Sequence, residues 1–139
     1  MNQPEIQLPR KLTNQLLHLA QLSPDTEICG LVSSQNGLPS CCYPVANVAE
    51  QPSQRFLLEA TGQIAALKTM RERGEQLFAI YHSHPTTPAI PSSTDLELAA
   101  YPDALYLIIS LNTKGILEMR GFHIHQQTTQ EVVLVLSEN

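Results

Sequence analysis

The sequence predicts an α/β domain, a mixed β-sheet with helices packed on it. Three observations carry that expectation. Short apolar runs interleave with segments of helical periodicity along the 139 residues. Several of those runs lie close enough in sequence to be hairpins, so the sheet contains antiparallel pairs as well as crossovers. No internal repeat, low-complexity tract or linker divides the chain. Residues 1–139 therefore read as a single domain, of a size that buries a core without staples.

The elements follow in order. Leu12, Leu16, Leu17, Leu19 and Ala20 have the spacing of a helix burying one face, with Pro9 in its first turn and Ser23-Pro24-Asp25 ending it. Residues 28–33 read as a buried strand. Gln35-Asn36-Gly37 has turn composition, so residues 38–48 are the return strand of a hairpin. A short strand is expected at residues 55–58. A second helix is expected at 61–73, with Ile64, Ala65, Leu67, Lys68 and Met70 at helical spacing and Gly74 closing it. Residues 77–82 form a short apolar run bounded by Gly74 and Pro85, read as a central strand. Three prolines make 85–91 a stiff loop that either flanks or gates whatever lies beside it. Residues 93–101 read as a third helix stopped by Pro102. Strands at 104–110, 115–124 and 131–136 complete the chain.

Composition excludes several function classes. The apolar fraction is 42% and the charged fraction 15%, values of a globular chain rather than a disordered one. The net charge is −5 and the eight basic residues are scattered, which argues against nucleic-acid binding. No stretch is long and apolar enough to span a bilayer, and the first residues lack a signal-peptide core. Three cysteines, Cys29, Cys41 and Cys42, do not suggest a disulfide framework, and a cytoplasmic setting is expected. Cys41 and Cys42, being adjacent, face opposite ways and read as buried small residues. A catalytic role for Cys29 would need a paired histidine.

The chemistry concentrates in His82-Ser83-His84-Pro85, followed by Ser92 and Asp95. Residues i and i+2 of a strand share a face, so the two imidazoles project together if the strand reaches its end. Two imidazoles and a carboxylate are ligand types that zinc prefers. Three protein ligands are the number of a catalytic site, with one position left for water. Metal-assisted hydrolysis is the expected chemistry. Ser92 and Asp95 also have the spacing of a capping box, and capping is compatible with ligation. His123 and His125 form a second pair without a following acid and read as surface or edge histidines. His18 needs no role.

The run from His82 to Asp95 resembles the JAMM, or MPN-plus, metalloprotease motif, complete in residue type and spacing. The segment Glu27-Ile28-Cys29-Gly30-Leu31 resembles the corresponding segment of the family's small bacterial branch. The resemblance implies a JAMM/MPN domain with cytidine-deaminase-like layering. It implies one Zn2+ held by His82, His84 and Asp95, Glu27 as acid and base, and the Ser92 hydroxyl as a stabiliser of the oxyanion. Asp25 and Glu59 are the weaker rivals of Glu27. The implied activity is Glu-assisted attack of zinc-held water on a peptide or isopeptide bond. The expected substrate is the C-terminal tail of a ubiquitin-like protein, a small ubiquitin-fold sulfur carrier. Two other readings remain: a catalytically inactive scaffold of the same fold, and a DNA-repair-associated protein of the RadC type. A zinc deaminase would need His-x-Glu and Pro-Cys-x-x-Cys, which are missing from the sequence.

Overall fold

The computed structural model describes residues 3–112 and 118–138. Along the chain lie β1 (Glu5–Pro9), α1 (Arg10–Gln21), β2 (Cys29–Gln35), β3 (Leu38–Val45), α2 (Ala60–Glu72) and β4 (Gln76–His84). Then come α3 (Ser93–Leu98), β5 (Leu105–Ser110), β6 (Glu118–His125) and β7 (Thr128–Ser137). The strands form one mixed sheet in the order β1-β7-β6-β5-β4-β2-β3. β1 runs parallel to β7 and β4 parallel to β5, and the other pairs are antiparallel.

Both faces of the sheet are covered. On one face Leu12, Leu16 and Ala20 of α1 pack against Val32, Ala79, Tyr81, Leu107 and Ile109. On the other, Ala66 and Met70 of α2 pack against Leu31, Ile80, Tyr106, Ile108 and Phe122. Each fully buried leucine contributes about 1.5–3 kcal/mol relative to an exposed one. Alternation along β4 places Ile80, His82 and His84 on the α2 face and Ala79 and Tyr81 on the α1 face. β4 lies inside the sheet, so its C-terminal end is rigid on both sides. The β2–β3 hairpin turns through Asn36 and Gly37, at φ 54° and 80°, the left-handed pair that matches strand twist.

Four sequence expectations need correction. The segment at 55–58 is not a strand: only Leu58 bridges Asn47. Its place is taken by β1, whose signal is the short alternation of Ile6 and Leu8. α3 ends at Leu98 rather than at Tyr101, and Ala99 is already extended. α2 buries Ala66 and Met70, while Ile64 points outward at 67% exposure. Cys41 and Cys42 are half-buried rather than buried. The expected start of the strand at 115 falls outside the described residues. α1 begins just after Pro9, and Gly74, with a left-handed φ, closes α2 as expected.

Candidate metal centre and active site

The strand at β4 persists through both histidines, and the imidazoles converge. The Nε2 atoms of His82 and His84 are 3.1 Å apart. Asp95 Oδ2 lies 3.0 Å from the first and 3.2 Å from the second. All three residues are buried. Asp95 arrives as the third residue of α3, inside a capping box. Ser92 Oγ accepts the Asp95 N–H at 3.0 Å, and Asp95 Oδ2 accepts the Ser92 N–H at 2.9 Å. The cap thus aims the carboxylate at the histidines.

The Pro-rich loop completes the geometry. His84 Nδ1 donates to the Pro88 carbonyl at 2.7 Å. Ser110 Oγ donates to the Thr87 carbonyl at 2.7 Å, and Ala89 is fully buried. Pro88 fixes a proton on Nδ1, so an unprotonated Nε2 turns its lone pair to the cluster, whereas in the metal-free protein an Nε2 proton bridges to Asp95. A lone pair facing a carboxylate oxygen at 3.2 Å leaves room for a shared cation. Ligands about 2.0–2.1 Å from a tetrahedral ion would lie about 3.3–3.4 Å apart, close to the triangle observed. The donor set and its spacing therefore fit zinc. Among the described residues His82 Nδ1 has no hydrogen-bond partner. Instead the Phe56 ring stacks on His82, with centroids 4.3 Å apart and planes at 23°.

Electrostatics separates the groups. Burial opposes the Asp95 charge, but hydrogen bonds from His82 and His84 outweigh it and hold its pKa far below the carboxylate range. Burial lowers the pKa of His82, favouring the neutral ring that a metal needs. Burial also acts against protonation of His84, but Asp95 and the Pro88 carbonyl reverse it and the net shift is upward.

Glu27 stands beside this cluster. It is 4% exposed, and among the described residues its Oε1 has no hydrogen-bond partner. Glu27, His82 and His84 each offer a ligand atom within 4.8 Å of the others. Burial raises the Glu27 pKa to about 7, His84 partly opposing and Asp95 adding to the shift. Two contacts fix Glu27 through its backbone: its N–H donates to the Pro52 carbonyl at 2.7 Å, and its carbonyl accepts from Asn47 Nδ2 at 2.9 Å. Next door, Ile28 N–H donates to Ser83 Oγ at 2.9 Å, tying the segment to the residue between the histidines.

The rival acids lie elsewhere in role. Glu59 caps α2 by accepting from Thr61 and Gly62 N–H, and Asp25 is exposed. Cys29 is buried and donates to the Val45 carbonyl, and burial, then Glu27, push its thiol up to about 12. Cys42 donates to the Tyr81 hydroxyl, and Cys41 lies against Glu75 and Arg73 near the far end of β4. His123 is half-buried and His125 exposed on β6, outside the cluster.

Sequence reasoning missed Phe56, Asn47 and Ser83. Asn47 uses all four of its amide hydrogen-bonding positions. Nδ2 donates to the Glu27 and Arg55 carbonyls, and Oδ1 accepts from Ala49 and Leu57 N–H. An Asn opening an aperiodic stretch is an Asx-turn signal, and it was the one available clue.

A mixed seven-stranded sheet with this clustered pair of histidines and an acid defines a JAB1/MPN-type domain. The family of prokaryotic homologs of the JAB domain matches residues 9–122, and the chain belongs to that family. It is 31% identical over 130 residues to the CysO-cysteine peptidase of Mycobacterium tuberculosis, covering 91% of this chain and 88% of that one. It is 33% identical over 89 residues to the desampylase of Haloferax volcanii, a match spanning 63% of this chain and 64% of the relative. A solved structure from Desulfitobacterium hafniense superposes with TM-score 0.86 at 33% identity, covering 96% of this chain and 94% of that one. A JAB1/MPN domain protein from Archaeoglobus fulgidus shares the fold, with TM-score 0.63 at 19% identity and coverage of 96% and 97%. Among the described residues no helix is long and apolar enough to cross a membrane.

Proposed function

We propose that this chain is a zinc-dependent peptidase that hydrolyses a peptide or isopeptide bond at the C-terminal tail of a ubiquitin-like protein. A small ubiquitin-fold sulfur carrier is the substrate, and cleavage exposes its Gly-Gly end. The observation that carries the reading is the convergence of His82 Nε2, His84 Nε2 and Asp95 Oδ2 beside the unpartnered Oε1 of Glu27. The names of the relatives above, a CysO-cysteine peptidase and a desampylase, support the same reaction class.

His82, His84 and Asp95 hold one Zn2+, which when bound supplies Lewis-acid activation of water and of the substrate carbonyl. Glu27 performs the proton work. It takes a proton from the attacking water as the oxygen bonds to the carbonyl carbon. It then delivers that proton to the amine as the C–N bond breaks. A carboxyl with a pKa near 7 suits both directions of transfer at neutral pH. Ser92 Oγ accepts the Asp95 N–H, so its own proton is available to donate to the developing oxyanion.

The test is metal content by mass spectrometry beside a His84→Ala control, followed by a carrier-adduct cleavage assay on the zinc-loaded protein. About one zinc per chain, lost in the control, with release of the adduct, supports the reading. A protein that takes up no zinc on reconstitution, or a zinc-loaded one that releases nothing, refutes it.

A further inference from the structure

An apolar groove of about 210 Å³ opens beside the metal ligands, walled by Phe56, Leu58, Ile80, Leu98, Tyr101 and Tyr106. A narrow cavity of about 20 Å³ adjoins it and is lined by His82 and Asp95. The two share Phe56, Leu98 and Tyr106 as walls, so the groove lies next to the ligand cluster. Among the described residues no charged side chain lines the groove. Its polar tips are already engaged. Gln63 Nε2 donates to the Tyr101 hydroxyl, and the Tyr106 hydroxyl accepts from the Ala100 and Tyr101 N–H groups at 3.1 and 3.0 Å. The surface left for a ligand is mostly ring face and aliphatic carbon, with a few hydroxyl and amide tips. Leu57 and Leu98 stay 54% and 58% exposed along it.

We infer that this groove binds a large apolar side chain, Phe or Leu in type, on the residue released by hydrolysis. The inference rests on the peptidase reading above. In that reading the acyl side of the bond is glycine, which has no side chain to place. The side chain nearest the ligand cluster then belongs to the amine-side residue. Size agrees: an apolar cavity of about 150 Å³ accommodates a benzene ring, so this groove takes a phenyl or isobutyl group. Charge agrees too, because a carboxylate or ammonium in an uncharged apolar pocket loses its hydration without compensation. The groove discriminates by transition-state binding, since its occupant is anchored within a few bonds of the reacting carbon.

The experiment uses the full zinc-loaded chain and a ubiquitin-fold sulfur carrier extended beyond Gly-Gly by one residue: Phe, Leu, Gly, Asp or Lys. Release is followed by mass spectrometry as kcat/KM. The Phe and Leu adducts are expected to exceed the Gly adduct by at least about tenfold, with Asp and Lys below Gly. Leu98→Trp, which fills the groove, should collapse the Phe-to-Gly ratio at unchanged zinc content. In parallel, the isotope-labelled protein is titrated with phenylalanine amide and with glycine amide. Amide resonances of Leu58, Leu98 and Tyr106 should shift with the first only. A flat adduct series, or a Phe-to-Gly ratio untouched by Leu98→Trp, overturns the groove assignment. Selective shifts with phenylalanine amide, but no cleavage of any adduct, overturn the peptidase reading and leave the groove as an apolar binding site.

Discussion

The ring of Phe56 covers the imidazole of His82 in a stacked arrangement, 4.3 Å between centroids. Phe56 reaches that position from the aperiodic stretch between β3 and α2, held there by Asn47 and by the Leu58–Asn47 bridge. Among the described residues His82 Nδ1 lacks a hydrogen-bond partner, so packing takes over the orienting role that a hydrogen bond performs for His84.

Phe56→Ala should therefore loosen His82 and admit water to one side of the site. The expected result is a drop in zinc affinity of about 10- to 100-fold, the range seen when support around a metal ligand is lost. Competition against a chromophoric chelator measures it. Unchanged affinity would mean that the neighbouring walls alone hold the ring.

Asp95 both closes the cap of α3 and faces the histidines, and two substitutions separate those tasks. Asp95→Asn keeps an oxygen to accept the Ser92 N–H but removes the charge. It should lose most zinc affinity and also lower the thermal midpoint of the metal-free protein, because the ionised carboxylate paired with His82 and His84 favours the fold. Ser92→Ala removes the cap acceptor for the Asp95 N–H, costing about 1 kcal/mol, and should keep zinc. Its loss of turnover beyond that stability change would report the hydroxyl's part in catalysis. Calorimetry and metal analysis on both variants decide the split.

Much of this was legible in the sequence, and for identifiable reasons. His82, His84 and Asp95 could be read because strand alternation and helix capping are local rules that need no tertiary information. The hairpin through Asn36 and Gly37 was legible for the same reason. Phe56 was not, because a ring 26 positions before His82 meets it only through the fold. The apolar Phe56, Leu57 and Leu58 suggested a strand, yet that segment has no ladder partner beyond one bridge. Ile64 looked like a buried face of α2, but the helix is set with Ala66 and Met70 inward. β1 was hidden because two apolar residues make a weak period, and its pairing partner lies at the other end of the chain.

Ser83 joins the two halves of the site. Its hydroxyl accepts the Ile28 N–H, and its own N–H donates to the Ile28 carbonyl at 3.1 Å. Ser83→Ala leaves a part-buried N–H unpaired next to Glu27, a cost of about 1–3 kcal/mol. The two histidines remain on β4, so zinc content should be retained while kcat falls. Metal analysis beside single-turnover rates distinguishes this from general unfolding. Loss of zinc in parallel with activity would show that Ser83 serves the ligands instead.

The raised pKa of Glu27 ties its proposed proton work to stability. An acid whose folded pKa lies above its ordinary value favours folding while protonated. That stability is fully present below about pH 4.5 and is lost as pH rises through about 7. In the metal-free protein the wild-type chain therefore carries a penalty at pH 8 that an uncharged side chain does not. Glu27→Gln should make the chelator-treated protein more stable at pH 8, by about 1–2 kcal/mol once solvent screening is allowed for. At pH 4.5 the two proteins should unfold alike. In the proposed reaction the same substitution removes the group that accepts and returns the proton, so the zinc-loaded variant should keep its metal and lose turnover. Urea unfolding at the two pH values, with metal analysis and the adduct assay on the same preparations, tests both halves. Equal stability at pH 8 would mean that the carboxylate is solvated in solution. Wild-type turnover in Glu27→Gln would remove Glu27 from the proton path, whatever its effect on stability.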